Sequence, residues 1–346
     1  MLYFSHPHHS MILQNRINFH KVKKGDFPRE ERIIMTENCY LPEGMLIDRP
    51  ENLEAMQGLA SLEKAMSQGR ILESTALMCN SALSLTLDLG GIRGIITHDE
   101  AILCRGGEGI KDIAIISRVG KPVCFKIKSI ERDSAGNPYA ILSRRAAQAE
   151  CLEHYLKGLV PGDIIPARVT HLEPFGAFVD IGCGIVSLMS IDCISVSRIS
   201  HPKDRFSPGD YIRVIIKSVE GDSGRIYVSH KELLGTWEEN AAEFCVGQTV
   251  SGIVRSIEDY GIFVELTPNL AGLAEKRDGV EVGQFSAVYI KNIIPERMKI
   301  KLVLIDSFKG SSGIVSHGYY VPLETNHLDT WQYSPSTCPK IIESVF

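Results

Sequence analysis

The 346-residue sequence has no C-x-x-C pair, although it carries nine cysteines. A structural zinc site needs closely spaced ligand pairs, and the set Cys39, Cys79, Cys104, Cys124, Cys151, Cys183, Cys193, Cys245 and Cys338 is scattered. No metal is therefore expected, and free thiols in a reducing, cytoplasmic setting are the plain reading. No apolar run approaches the roughly 18 residues of a membrane span, so no membrane association is expected. Positive charge is not in excess: 37 Lys+Arg stand against 42 Asp+Glu, net −5. That excludes a protein holding duplex nucleic acid by phosphate neutralisation alone. There is no G-x-x-x-x-G-K-[ST], H-E-x-x-H or G-x-S-x-G motif, and Gly106-Gly107-Glu108-Gly109 lacks a strand–turn–helix frame. Without a catalytic constellation, the chain is expected to be no enzyme, with no cofactor and no small-molecule substrate.

What is present is a repeat. Gly69, Gly162 and Gly247 each open a strand-like run, a spacing that suits one small β-domain per copy. The middle copy gives strands over Asp163–His171, Gly176–Ile181, Ile185–Ile191, Tyr211–Val219 and Arg225–Ser229, with one long loop between the third and fourth. Five short strands with that loop predict a five-stranded Greek-key barrel. The third copy reads as 250–257, 262–266, 272–274, 285–290 and 299–304, the first as 70–78, 82–89, 94–96, 123–130 and 139–143.

The expected organisation is thus a divergent first barrel over 68–146, a helical linker over 147–159, and a second barrel over 160–233. A second linker follows over 234–245, a third barrel over 246–305, and a tail over 306–346 whose Tyr319, Tyr320, Trp331 and Tyr333 should pack somewhere. Residues 35–67 form an N-terminal segment with one helix, about Glu51–Ser67. Residues 1–34 read either as translated upstream sequence before a true start at Met35 or as a disordered basic arm. The charge changes sign there, with six Lys/Arg and three Asp/Glu over 1–35 against two and six over 36–67.

Strand alternation sorts the faces of the middle barrel. Val179 and Ile181 share one side of the second strand, Phe178 and Asp180 the other. The acidic neighbour marks the second face as solvated and places Phe178 outside the core. Gly176, by its conformational freedom, can bring Phe175 to the same side. Ile226 and Val228 point inward, leaving Arg225 and Tyr227 outward. Exposed aromatics beside an Arg form a stacking platform for unpaired bases, worth about 1–3 kcal/mol each with little need for net positive charge; core packing is the alternative for both Phe175 and Phe178. His201 and His230 are expected at this barrel's surface, solvated or against RNA.

The run G-D-I-I-P-A-R-V-T…E-P-F-G-A-F-V-D-I-G-C-G-I-V-S-L, with P-G-D-Y-I-R-V-I-I-K-S-V and G-R-I-Y-V-S-H-K-E-L-L-G-T-W, resembles the S-one RNA-binding domain of bacterial ribosomal proteins. The third copy resembles a second member and the first copy a divergent third. The resemblance implies a mainly β chain of three tandem five-stranded Greek-key OB-fold barrels joined by short helical linkers. It also implies an RNA face at Phe175, Phe178, Ser190 and Arg225, with Tyr227 beside it, and at Tyr260, Phe263 and Lys299 in the third copy. Ser190 replaces the family's usual His, Glu275 stands at that position in the third copy, and Lys299 keeps the charge of the family's Arg without its planar fork. The first copy has no aromatic in 81–89 and should stack nothing.

Charge does not follow the platforms. Residues 68–146 carry 11 Lys/Arg and 8 Asp/Glu, residues 160–233 carry 8 and 9, and residues 246–306 carry 7 and 8. Either the first copy docks on a larger acidic surface or the difference is scatter on a solvated one. The expected partners are single-stranded RNA (mRNA) and the small ribosomal subunit, with the chain tethering mRNA there in translation. The alternatives are a regulator or RNA-decay accessory off the ribosome, or a protein-interaction scaffold.

Overall fold

The computed structural model describes residues 39–104, 109–220, 225–310 and 318–346. The leader with Met35, the Arg105–Glu108 part of the Gly-rich insertion and the Gly221–Gly224 turn lie outside the described residues. No helix among the described residues is long and apolar enough to cross a membrane.

Two short helices, α1 (Pro50–Ala55) and α2 (Leu59–Ser67), stand where the apolar periodicity predicts one. The break falls at Gly58, whose φ of 151° is open to glycine and ends the helical run. Leu53 is half exposed.

Barrel one consists of β1 (Leu72–Cys79), β2 (Leu85–Asp88), β3 (Arg93–Ile96), β4 (Pro122–Arg132) and β5 (Pro138–Ser143), with a short helix α3 (Asp112–Ile116) between β3 and β4. The linker helix α4 (Arg144–His154) starts directly at the end of β5, capped by the Ser143 hydroxyl accepting from the Ala146 N–H. Barrel two holds β6 (Ile164–Glu173), β7 (Gly176–Asp180), β8 (Val186–Ser190), β9 (Tyr211–Val219) and β10 (Ile226–Ser229). The second linker is not one helix: a 3-10 turn over Lys231–Leu234 stops at Gly235, and α5 (Trp237–Ala241) restarts from a Thr236–Glu239 capping box. Barrel three holds β11 (Thr249–Glu258), β12 (Gly261–Thr267), β13 (Leu270–Ala274), β14 (Phe285–Ile294) and β15 (Lys299–Phe308).

Each barrel closes in the same order, first–second–third–fifth–fourth strand, with the third and fifth parallel. The fold is therefore mainly β, three closed five-stranded barrels with short helices between them. Alternation fills each barrel: Val179, Met189, Val214 and Val228 in barrel two, and Ile262, Val264, Ile300 and Leu302 in barrel three, are buried.

The barrels are joined through packed contacts. Glu43 of the N-terminal segment is clamped by Arg144 at 2.7 and 3.0 Å and by Arg118 at 3.3 Å, between barrels one and two. Asp180 lies in the same buried cluster, accepting from the Glu43 N–H at 2.7 Å and the Gly182 and Gly184 N–H groups. A side chain at Gly184 would collide with the Arg144 guanidinium, so the clamp requires glycine there. The long loop of barrel two reaches barrel three, where Arg205 and Arg255 share the Glu265 carboxylate. The tail packs, as its aromatics predict. Tyr319 lies edge-on to His230 of barrel two, and Trp331 and Tyr333 are buried with Trp237 in barrel three. β16 (Thr330–Gln332) and β17 (Glu343–Val345) pair within it.

Candidate nucleic-acid interface

Phe175 and Phe178 stand at the start of β7. Their rings meet edge to face, centroids 6.0 Å apart and planes at 89°. Phe175 is 56% exposed, whereas its neighbours Ala177 and Val179 are fully buried, so the pair faces away from the barrel core. Tyr260 and Phe263 repeat this arrangement in barrel three at 6.1 Å and 89°, with Tyr260 70% exposed. Two copies whose sequences differ in this pair thus build the same two-ring corner.

Asp180 does not mark a solvated face: it is 1% exposed and tied into the Glu43 cluster. Burial, with the negative charge of Glu43, pushes its carboxyl up to about 7 even though three N–H groups donate to it. Phe178 is outside the core because of strand alternation alone. Gly176 takes no positive φ; a Cβ there would fall 2.4 Å from the Met189 carbonyl oxygen, so close strand approach is what excludes a side chain.

Register shows which residues come together. Phe178 pairs with Leu188 on β8, and Leu188 with Tyr227 on β10, so these three form one outward row. Ser190 pairs with Gly176, next to Phe175, and its hydroxyl lies 3.2 Å from the Cys193 sulfur. Tyr227 is half-buried, and Arg225, immediately before β10, is exposed. Lys299 opens β15 at the edge of the corresponding row of barrel three, which runs Phe263–Leu273–Lys301.

One member of the row was missed. His171 of β6 pairs with Phe178, and its ring stacks on it at 6.2 Å and 27°. Its Nε2 lies 2.6 Å from the Glu173 carboxylate, which fixes the ring's direction. The signal was available as an outward position in the first strand. His230 is corrected the other way. It is 6% exposed, lies edge-on between Phe206 and Tyr319, and meets the Ile194 carbonyl at 3.1 Å, because the tail covers it. His201 caps the 3-10 turn over Pro202–Asp204 by accepting from the Lys203 N–H.

In barrel one, register places Thr86 opposite Ile95 and Ile95 opposite Ile141, an apolar row without rings where barrel two has Phe178, Leu188 and Tyr227. Tyr139 stands on β5 with the Arg93 guanidinium over its ring at 5.5 Å.

A closed five-stranded Greek-key barrel of this strand order defines the class of the oligonucleotide-binding fold. The S1 RNA binding domain profile matches residues 160–231. The chain is 35% identical over 194 residues to small ribosomal subunit protein bS1 of Staphylococcus saprophyticus, covering 51% of this chain and 49% of that one. It is 31% identical over 275 residues to bS1 of Staphylococcus aureus, covering 75% and 67%, and 26% identical over 322 residues to a bS1 homolog of Bacillus cereus, covering 88% and 81%. The chain belongs to the bS1 family. It spans about half the length of the Staphylococcus saprophyticus relative.

Proposed function

We propose that the chain binds single-stranded RNA through the ring corners of barrels two and three, and that it holds mRNA at the small ribosomal subunit. The observation that carries the reading is the repeated edge-to-face pair, Phe175–Phe178 and Tyr260–Phe263, its first ring exposed and its second half-buried at the same strand position of two barrels. Rings so placed offer a flat apolar face to an unpaired base, and stacking does not require the positive charge that the chain lacks. Ser190 lies beside Phe175 to meet a base edge or ribose, and Arg225 and Lys299 stand where phosphates pass. Weak single sites on linked barrels add through effective concentration, so neither corner needs high affinity alone. The ribosomal part of the reading is supported by the relatives, which are small ribosomal subunit proteins.

Titration of a fluorescent single-stranded RNA against the full chain and against Phe175→Ala/Phe178→Ala tests the binding. The double variant should lose about 2–5 kcal/mol if both rings stack bases; unchanged affinity would overturn the platform. Co-sedimentation of the full chain with small subunits tests the location. RNA binding without co-sedimentation would favour a role off the ribosome, and neither would leave the barrels as a protein scaffold.

A further inference from the structure

The net charge of barrel three is −1, yet it is divided sharply along the chain. Residues 291–301 carry Lys291, Arg297, Lys299 and Lys301 against Glu296, net +3; the rest of residues 246–306 carries three Lys/Arg against seven Asp/Glu, net −4. The basic stretch is the end of β14, the tight turn Pro295–Arg297 and the start of β15. Along β15, Ile300, Leu302 and Leu304 are buried, so Lys299, Lys301, Val303 and Ile305 line the outer face. Lys301 pairs with Leu273, which pairs with Phe263, so the lysine row begins two strands from the ring corner. Across from it, Asn292 pairs with Lys301 and the exposed Tyr289 pairs with Val303. In the other barrels the fifth strand stops early, at the position that Val303 holds in β15. Ser229 and Ser143 end β10 and β5 fully buried, whereas β15 runs on to Phe308 with its outer face open.

None of Lys291, Arg297, Lys299 and Lys301 forms an ion pair among the described residues, where barrel three's pairs run through Arg255, Lys276 and Lys309. Cations left in water beside a stacking corner suit a polyanion threaded past exposed rings. We infer that the outer face of β14 and β15 in barrel three is a phosphate track for single-stranded RNA, running from the Tyr260–Phe263 corner past Lys299, Lys301 and Lys291 toward Tyr289. This rests on the RNA-binding reading and sets the two barrels apart: both carry a ring corner, and barrel three adds a row of cations beside it. Two exposed carboxylates act against it, Glu296 in the turn itself and Glu275 just beyond β13.

The test is the salt dependence of binding by the full chain, using a fluorescent oligouridylate. For single strands each phosphate contact contributes about 0.7 to the slope of log K against log salt. Lys291→Gln/Lys299→Gln/Lys301→Gln should flatten that slope by about 2 and weaken binding most at low salt, and Glu275→Gln should tighten it. A control with the same charge change away from barrel three, Lys64→Gln/Lys111→Gln/Lys157→Gln, should keep the wild-type slope. An unchanged slope in the first variant, or an equal loss in the control, overturns the track. Phe175→Ala/Phe178→Ala runs in parallel. If it weakens binding while the lysine variant does not, only the track fails. If no variant moves binding, the RNA reading fails with it. Melting curves check that each variant is folded.

Discussion

His171 illustrates what a single outward position can add. It sits one strand from Phe178, its ring nearly parallel to that of Phe178, and Glu173 holds it there. A third ring widens the surface on which a base can lie. His171→Ala should therefore weaken single-stranded RNA binding by about 0.5–1.5 kcal/mol, the usual worth of an aromatic pair, and His171→Phe should restore most of it. The same fluorescence titration checks both; full affinity in His171→Ala would remove the residue from the site. Alternation in β7 was legible and put Phe178 on the right face. It could not show that Asp180, on that face by parity, is buried by the Glu43 segment, because that contact spans 137 residues of chain. Side-chain parity is local, whereas burial is decided by whatever packs on the face afterwards.

At the level of elements, strands were legible because their apolar residues alternate, and the order of closure followed from five strands and one long loop. Helices were less so. The predicted 51–67 helix splits at Gly58, and the second linker is broken at Gly235, whose φ of 83° no helix tolerates. What joins the elements was invisible, since Glu43, Arg118, Asp180 and Arg144 come from four distant segments. Arg144 holds the Glu43 carboxyl below its usual range despite full burial. Removing one partner of such a pair leaves a buried charge, so Glu43→Ala should cost about 3–5 kcal/mol in denaturant unfolding; a loss under about 1 kcal/mol would show that the clamp is dispensable. Two neighbouring carboxyls behave oppositely. Burial raises Asp180 to about 7 and Glu73 to about 8. Both pKa values are higher folded than unfolded, so the folded chain binds more protons, and this contribution is full below about pH 4 and lost as pH rises through 7 and 8. The melting temperature should fall between pH 6 and pH 8.5, and a rise across that window would refute the assignment.

For the whole molecule, the tail is the part whose composition promised packing without saying where. Its two ends serve different barrels. Arg213 of barrel two donates to the Val321 and Thr325 carbonyls and lies over the Tyr319 ring, and the Leu328 N–H donates to the Gly162 carbonyl. Further on, the Trp237 N–H donates to the Tyr333 carbonyl at 2.9 Å, and the Tyr333 hydroxyl donates to the Asn269 carbonyl. One segment therefore spans barrels two and three, alongside the Arg205–Glu265–Arg255 contact, and it sets how the two ring corners are held relative to each other. The chain has two tryptophans, and deleting residues 318–346 removes Trp331, leaving Trp237 as a lone reporter. Trp237 is 2% exposed with the tail in place. In the shortened chain its emission should shift to the red as water reaches the indole, and unfolding should begin at lower temperature from barrel three, where loss of a buried Trp331 alone is worth about 3–5 kcal/mol. RNA affinity should then fall more for an oligonucleotide long enough to reach both corners than for one that fits a single barrel, because a loosened pair of sites has a lower effective concentration. If Trp237 stays blue-shifted and long and short oligonucleotides weaken equally, the tail is not the brace between the two barrels.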